Sequence, residues 1–169
     1  MFKLATTMLT LILLSHTGFS QDKCNCCTVA HQQFDFWIGD WNVFDTTGTQ
    51  VGENTISHLE DNCILSEYWR GISGTTGRSY NYYNQQDSTW NQVWVDNNGG
   101  NLVLKGKGKP GKMVLKSELI PGKKIAFYYN QVTWTLNKDG SVTQLWEIYD
   151  QTGKLLSTAF LGIYKKKSS

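Results

Sequence analysis

The chain lacks the motifs that announce common chemistries. It contains no G-x-S-x-G nucleophile elbow, no P-loop and no H-E-x-x-H pair, so serine hydrolysis, glycine-loop phosphate binding and zincin chemistry have nothing to start from. Histidine is scarce, at three in 169 residues. His31 and His58 each stand apart from any second histidine at metal-ligand spacing, which makes them surface or capping residues ahead of a haem or metal role. Charge of one sign is not in excess either: 16 basic residues face 14 acidic ones, which leaves no electrostatic footprint for nucleic acid. The one basic cluster, Lys165, Lys166 and Lys167, reads as a solvated tail.

No apolar run approaches the roughly 20 residues that span a bilayer. The first twenty residues, MFKLATTMLTLILLSHTGFS, instead carry one early lysine, a short apolar run over 8–14, a small-residue exit and no acidic residue. That is the pattern of a secretory signal peptide over 1–20. No cysteine follows the apolar run directly, so lipid attachment at that point is not expected. Removing 20 of the 169 residues leaves 149, and with Lys3 gone 15 basic residues face 14 acidic ones. The expected setting is the periplasm or the exterior, with no stable membrane insertion. A chain of this size forms one domain and buries roughly two thirds of its unfolded surface, enough for a core without metal or cofactor.

Cysteine is rare but concentrated: Cys24, Cys26 and Cys27 crowd one segment, and Cys63 stands alone. In an oxidising compartment disulfides are expected. Any fully paired form must join Cys63 to one of the other three. The C-x-C-C spacing is tighter than the usual structural zinc site, so no metal is assigned.

What the chain has in abundance is turns and strand formers. TTGT, GTTG, NNGG, KPGK, PGK, KDGS and QTGK recur at short intervals, and glycine in such clusters supplies the positive φ of tight turns. Between them lie runs rich in Val, Ile, Thr, Tyr and Trp. About ten antiparallel strands are predicted, near 41–46, 51–60, 63–72, 78–85, 89–96, 101–107, 112–119, 124–130, 132–137, 142–150 and 155–165, with 124–137 as one long strand in the alternative. No interior segment has a helical period, and only HQQFDFWIG, over 31–39, fits a short helical turn. Closure into a barrel solves the problem of exposed edges for so many strands.

Strand alternation then sorts side chains onto faces. Trp90, Gln92, Trp94 and Asp96 share one face of their strand; Cys63, Leu65, Glu67 and Trp69 share another; Tyr80 and Tyr82 oppose Ser79, Asn81 and Tyr83. Polar groups mixed among large aromatics suit a lined cavity better than a dry core.

Four ordered stretches, HQQFDFWIGDWNV, CILSEYWRG, GRSYNYYN and WNQVWVDNNGG, give the chain a resemblance to an exported bacterial family of lipocalin-like domains in the calycin superfamily. The resemblance implies an all-β, antiparallel up-and-down barrel over 34–165. Before it come a cysteine-containing segment over 21–33 and a short helical turn, and after it a tail over 166–169. It further implies that Phe34, Phe36 and Trp37 close the barrel floor, that Gly39 permits tight backbone passage, and that Trp41 begins the first strand pointing inward. It pairs Cys63 with Cys27, or with Cys26 as the alternative partner. The sequence departs from the family pattern in the extra cysteines of CNCC and in the absence of a tryptophan from DQTGKLLS. The family lends no activity.

Among candidate groups, Glu67 is a carboxylate flanked by Leu65 and Trp69, and a buried carboxylate needs a partner. It serves either as a ligand anchor with a raised pKa or in an internal network with Arg78, Arg70 or tyrosine hydroxyls. Asp96 faces the mouth or accepts hydrogen bonds from turn amides. Glu147 and Asp150 carry no stronger signal, and the separation of paired carboxylates that a glycosidase needs is not legible in sequence. The leading expectation is an exported, non-catalytic barrel, without cofactor, that holds a small, partly apolar molecule. Trp69, Trp90, Trp94, Tyr80 and Tyr82 would be its walls, Glu67 or Arg78 its anchor, and Asp96 would stand near the mouth. The alternatives are a carbohydrate-associated protein that meets glycans through Trp and Tyr surfaces, and a calycin-type enzyme that uses Glu67.

Overall fold

Short alternating runs punctuated by glycine turns have one cooperative outcome, a meander, and the computed structural model of the protein, which describes residues 24–168, is built this way. The export signal expected over 1–20 lies outside the described residues. Eleven strands follow a 3-10 helix at His31–Trp37: β1 Gly39–Phe44, β2 Gln50–Leu59, β3 Ile64–Gly71, β4 Thr76–Asn84, β5 Thr89–Asp96, β6 Asn101–Lys109, β7 Lys112–Lys116, β8 Ile120–Pro121, β9 Phe127–Leu136, β10 Val142–Asp150 and β11 Leu155–Lys166. All pairings are antiparallel, and each strand from β1 to β7 pairs with its sequence neighbour. β7 pairs with β9, β9 with β10, and β10 with β11. The ring closes where β11 meets β1, with Trp41 opposite Lys166 and Phe44 opposite Ile163. Ten strands therefore form a closed up-and-down barrel, and β8 is a two-residue strand on the flank of β9. Among the described residues no helix is long and apolar enough to cross a membrane.

The expected strands are present with small boundary shifts. The 124–137 region is a single strand, Phe127–Leu136. The lysine cluster is not a tail: β11 runs through Lys165 to Lys166, Lys167 N–H donates to Asp40 O at 2.9 Å, and the Lys167 ammonium meets Glu53 at 2.9 Å. The register that closes the barrel needs these residues as strand.

One end of the barrel is plugged. Phe34, Trp37 and Trp41 are fully buried, Phe34 stacks on Trp37 at 4.9 Å, and its edges meet Trp90 and Trp134. Phe36 packs half-buried beside them. Trp41 Nε1 donates to Trp37 O at 2.9 Å, and this bond ties the first strand to the helix. Gly39 at the junction has φ +137°, and a Cβ there would lie 2.8 Å from Lys166 Nζ. That amine donates to Ile38 O at 2.9 Å, so only glycine satisfies both the backbone angle and the contact. Phe34, Trp37 and Trp41 of FDFWIGDW are thus buried together where the helix enters the first strand.

The disulfides secure the segment that leads into the plug. Cys63 bonds to Cys26, the alternative partner of the two expected, and not to Cys27, which bonds to Cys24. Cys24 and Cys27, with Cα atoms 5.4 Å apart, take each other. That leaves Cys26, buried against the fold, for Cys63. His31 caps this region: its Nδ1 lies 2.7 Å from Thr28 Oγ1, and its ring meets the Tyr83 ring edge-on.

Candidate functional site

The half of the barrel away from the plug is built differently. Alternation along β3, β4 and β5 turns Glu67, Ser79, Asn81 and Gln92 inward, and each is at most 4% exposed. Asn54 from β2 and Tyr164 from β11 join them. They interlock as one polar layer. Asn54 Nδ2 donates to Glu67 Oε1 at 2.7 Å, and Ser79 Oγ donates to Glu67 Oε2 at 2.6 Å. Asn81 Nδ2 donates to Ser79 Oγ at 2.9 Å and to Leu65 O at 3.1 Å, and Gln92 Nε2 donates to Asn81 Oδ1 at 2.8 Å. Tyr164 O–H donates to Gln144 Oε1 and accepts weakly from Asn54 Nδ2 at 3.5 Å.

Above this layer lies a cavity of about 310 Å³. Glu67, Gln92, Gln144 and Tyr164 reach its surface from below. Its sides are the rings of Trp69, Trp94, Trp146 and Phe160, with Leu102 and Val132 between them. Asp96, Gly100, Asn101 and Thr75 stand at the strand ends and turns nearest the open end, where Gly100 and Asn101 are exposed.

Three glycines make room for the rings. A Cβ on Gly77 would lie 2.2 Å from the Trp94 ring, one on Gly52 2.5 Å from Trp69, and one on Gly162 2.6 Å from Phe160. Each ring therefore lies over a bare stretch of strand, as aromatics do when they cover strand glycines. With a side chain in those positions the rings would be forced inward and would fill the space. A register shift in β11 adds to the lining: Trp146 opposes Phe160 and Glu147 opposes Thr158, so Ala159 is the extra residue of a bulge. Ala159 and Phe160 both reach the cavity as a result.

The electrostatics are one-sided. Among the described residues Glu67 and Asp96 are the carboxylates of the lining, and no Lys, Arg or His contributes to it. Burial raises the Glu67 carboxyl from 4.5 to about 7, against the opposing effect of its hydrogen bonds from Ser79 and Asn54. Burial also pushes the Tyr164 phenol well above its ordinary value, and the nearby Glu67 charge adds to this. Near neutrality Glu67 thus changes between a neutral acid and an anion that has no cation beside it. Asp96 is held in its turn, where Oδ1 accepts from Asn98 N–H at 2.9 Å and Gly100 N–H at 2.8 Å.

The expected site residues divide three ways. Glu67, Trp69, Trp94 and Asp96 come together around the cavity. Trp90 points inward but belongs to the floor, where its Nε1 donates to Ala30 O at 3.2 Å and its ring packs on Phe34. Arg78, Tyr80 and Tyr82 are on the outside: the Arg78 guanidinium lies 3.9 Å from the centre of the Tyr68 ring, and the tyrosines are 53% and 40% exposed. The alternation that sends Ser79 and Asn81 inward necessarily sends these three outward. Neither arginine reaches Glu67, since Arg70 pairs with Glu53 at 3.2 Å. Its network is made by Asn54 and Ser79 instead.

Trp146, Gln144, Phe160, Tyr164 and the three glycines were not anticipated. Gln144 and Trp146 share a face of TQLWEIYD, and strand alternation could have found them; the bulge hides Phe160 from the same reasoning. A second, polar cavity of about 220 Å³ lies near the disulfides, beside His31, Asp35, His58 and Asn62. Asp35 and His58 approach to 3.5 Å there, and burial raises the Asp35 carboxyl. Among the described residues no group of three His, Cys, Asp or Glu side chains is arranged to hold a metal ion.

Comparison with protein-family models gives no match, and neither does comparison with curated proteins.

Proposed function

We propose that the protein is an exported, lipocalin-like barrel that holds a small, partly apolar molecule in the open half of its interior. The observation that carries this is the contrast between the two halves. The plugged half is filled by side chains, whereas the other half keeps a cavity of about 310 Å³ with aromatic sides over a polar base. That volume lies in the range of small-molecule sites, and apolar walls with a few convergent polar groups are their usual composition. Three glycines hold the rings back from the space, which supports a cavity that is kept open. Export is supported by the character of 1–20 and by four cysteines paired in two disulfides.

Native mass spectrometry of the protein purified from its source should show a bound species of small mass. A panel of small aromatic and aliphatic compounds should change the tryptophan fluorescence, because Trp69, Trp94 and Trp146 line the cavity. An empty protein that responds to no compound would refute the reading.

Glycan binding is a second reading, favoured by the exposed rings of Tyr80 and Tyr82 on the outer face of β4. All seven tryptophans, however, are buried or half-buried, so a sugar platform would consist of tyrosine alone. A Tyr80→Ala, Tyr82→Ala double variant should lose polysaccharide retention if this reading holds.

A further inference from the structure

The cavity is unusual in what faces its carboxylate. Glu67 accepts hydrogen bonds from Asn54 of β2 and Ser79 of β4, and shares the cavity lining with Gln92 from β5, Gln144 from β10 and Tyr164 from β11. The titratable groups among its neighbours and along the lining are Tyr164 and Asp96, and neither can carry positive charge. A buried anion is costly unless a cation meets it, and the described residues supply none. Two of the lone-pair sites on Glu67 are taken by Asn54 and Ser79, which leaves acceptor capacity on its cavity side. Around that point stand Trp69, Trp94, Trp146 and Phe160, whose ring faces attract cations. A carboxylate ligand, by contrast, would enter a site with two acidic groups and no positive partner.

Resting on the reading of this cavity as a binding site, we propose that its ligand is a small organic cation: an amine or ammonium group on an apolar or aromatic body, with the charged head at Glu67 and the body among the tryptophan rings. The ligand supplies the positive charge that the fold leaves out. Asp96 at the open end adds a second negative group along the path of entry.

Three probes of matched skeleton separate the cases: phenethylamine, phenethyl alcohol and hydrocinnamate, which bear cationic, neutral and anionic heads. Affinities for the native protein are read by tryptophan fluorescence and by calorimetry. At about pH 8 the amine should bind at least ~10-fold more tightly than the alcohol, and hydrocinnamate more weakly than either. Binding requires the ionised carboxyl, so between about pH 8 and about pH 5 the amine should weaken by roughly 100-fold, while the alcohol should change little. Glu67→Gln should abolish both the preference for the amine and its pH dependence. If that variant fails to fold, the pH dependence of the native protein decides. Equal binding of amine and alcohol, or tighter binding of hydrocinnamate, would overturn the cation assignment and leave the cavity as a site for another class. If none of the three probes binds and the native protein carries no small molecule, the binding-site reading itself falls.

Discussion

Glu67 couples the stability of the barrel to pH, and replacing it with glutamine makes the coupling measurable. Its carboxyl rises from 4.5 to about 7 on folding because burial penalises the anion. A carboxyl whose pKa is raised holds its proton more tightly in the folded state. Its stabilising contribution is therefore complete below about pH 4.5 and is lost as the pH climbs through about 7. At roughly 1.4 kcal/mol for each tenfold change, the loss is about 3 kcal/mol. Glu67→Gln imitates the protonated acid. Its carbonyl can still accept from Asn54 Nδ2, and its amide can donate to Ser79 Oγ, whose hydroxyl is free to turn. The variant should therefore lack this component. Asp45, Asp87, Asp139 and Asp150 are held below their ordinary range by turn or side-chain hydrogen bonds and by Lys105 in the case of Asp87. They act alike in both proteins and cancel in the comparison. Urea titrations with the disulfides intact, at steps from about pH 4 to about pH 8, should show the native protein losing about 3 kcal/mol relative to the variant. Parallel curves would refute the reasoning, since they would mean that Glu67 is solvated or already paired with a cation.

Gly77→Ala should push the Trp94 ring into the cavity, destabilise the fold by about 1–3 kcal/mol and weaken any cavity ligand, as read by denaturant titration and by binding. Trp37→Ala should cost about 3–5 kcal/mol, because the side chain is fully buried in the plug; a loss below ~1 kcal/mol would show that the floor is not packed as described. Replacing Cys26 and Cys63 together by serine opens a cross-link spanning 37 residues and should cost about 3–4 kcal/mol, whereas removing the Cys24 to Cys27 link should cost about 2 kcal/mol. Peptide mapping of the oxidised protein should find the same two pairs.

Much of the architecture was legible because strand alternation and turn chemistry are local. Turn clusters at short intervals and Val-, Thr- and Trp-rich runs determined an antiparallel meander, whereas the plug at FDFWIGDW was expected from the family resemblance and not from a local pattern. The pairing of faces was legible too: Glu67 with Trp69, and Trp94 with Asp96, came from period two alone. Only the closed barrel could decide which of the two faces looks inward. Tyr80, Tyr82 and Arg78 were placed on the wrong side because their strand carries bulky residues outward and Ser79 and Asn81 inward, the reverse of what hydrophobicity suggests. Depth along the barrel was equally hidden. Trp90 and Trp94 share a face, yet one packs into the plug and the other borders the cavity, because the helix fills one end and not the other. The partner of Cys63 depended on where three neighbouring cysteines sit in space, and the open cavity depended on rings from β3, β5 and β11 that find glycines beneath them. These are long-range contacts between residues far apart in the chain, and no local pattern encodes the void that they leave.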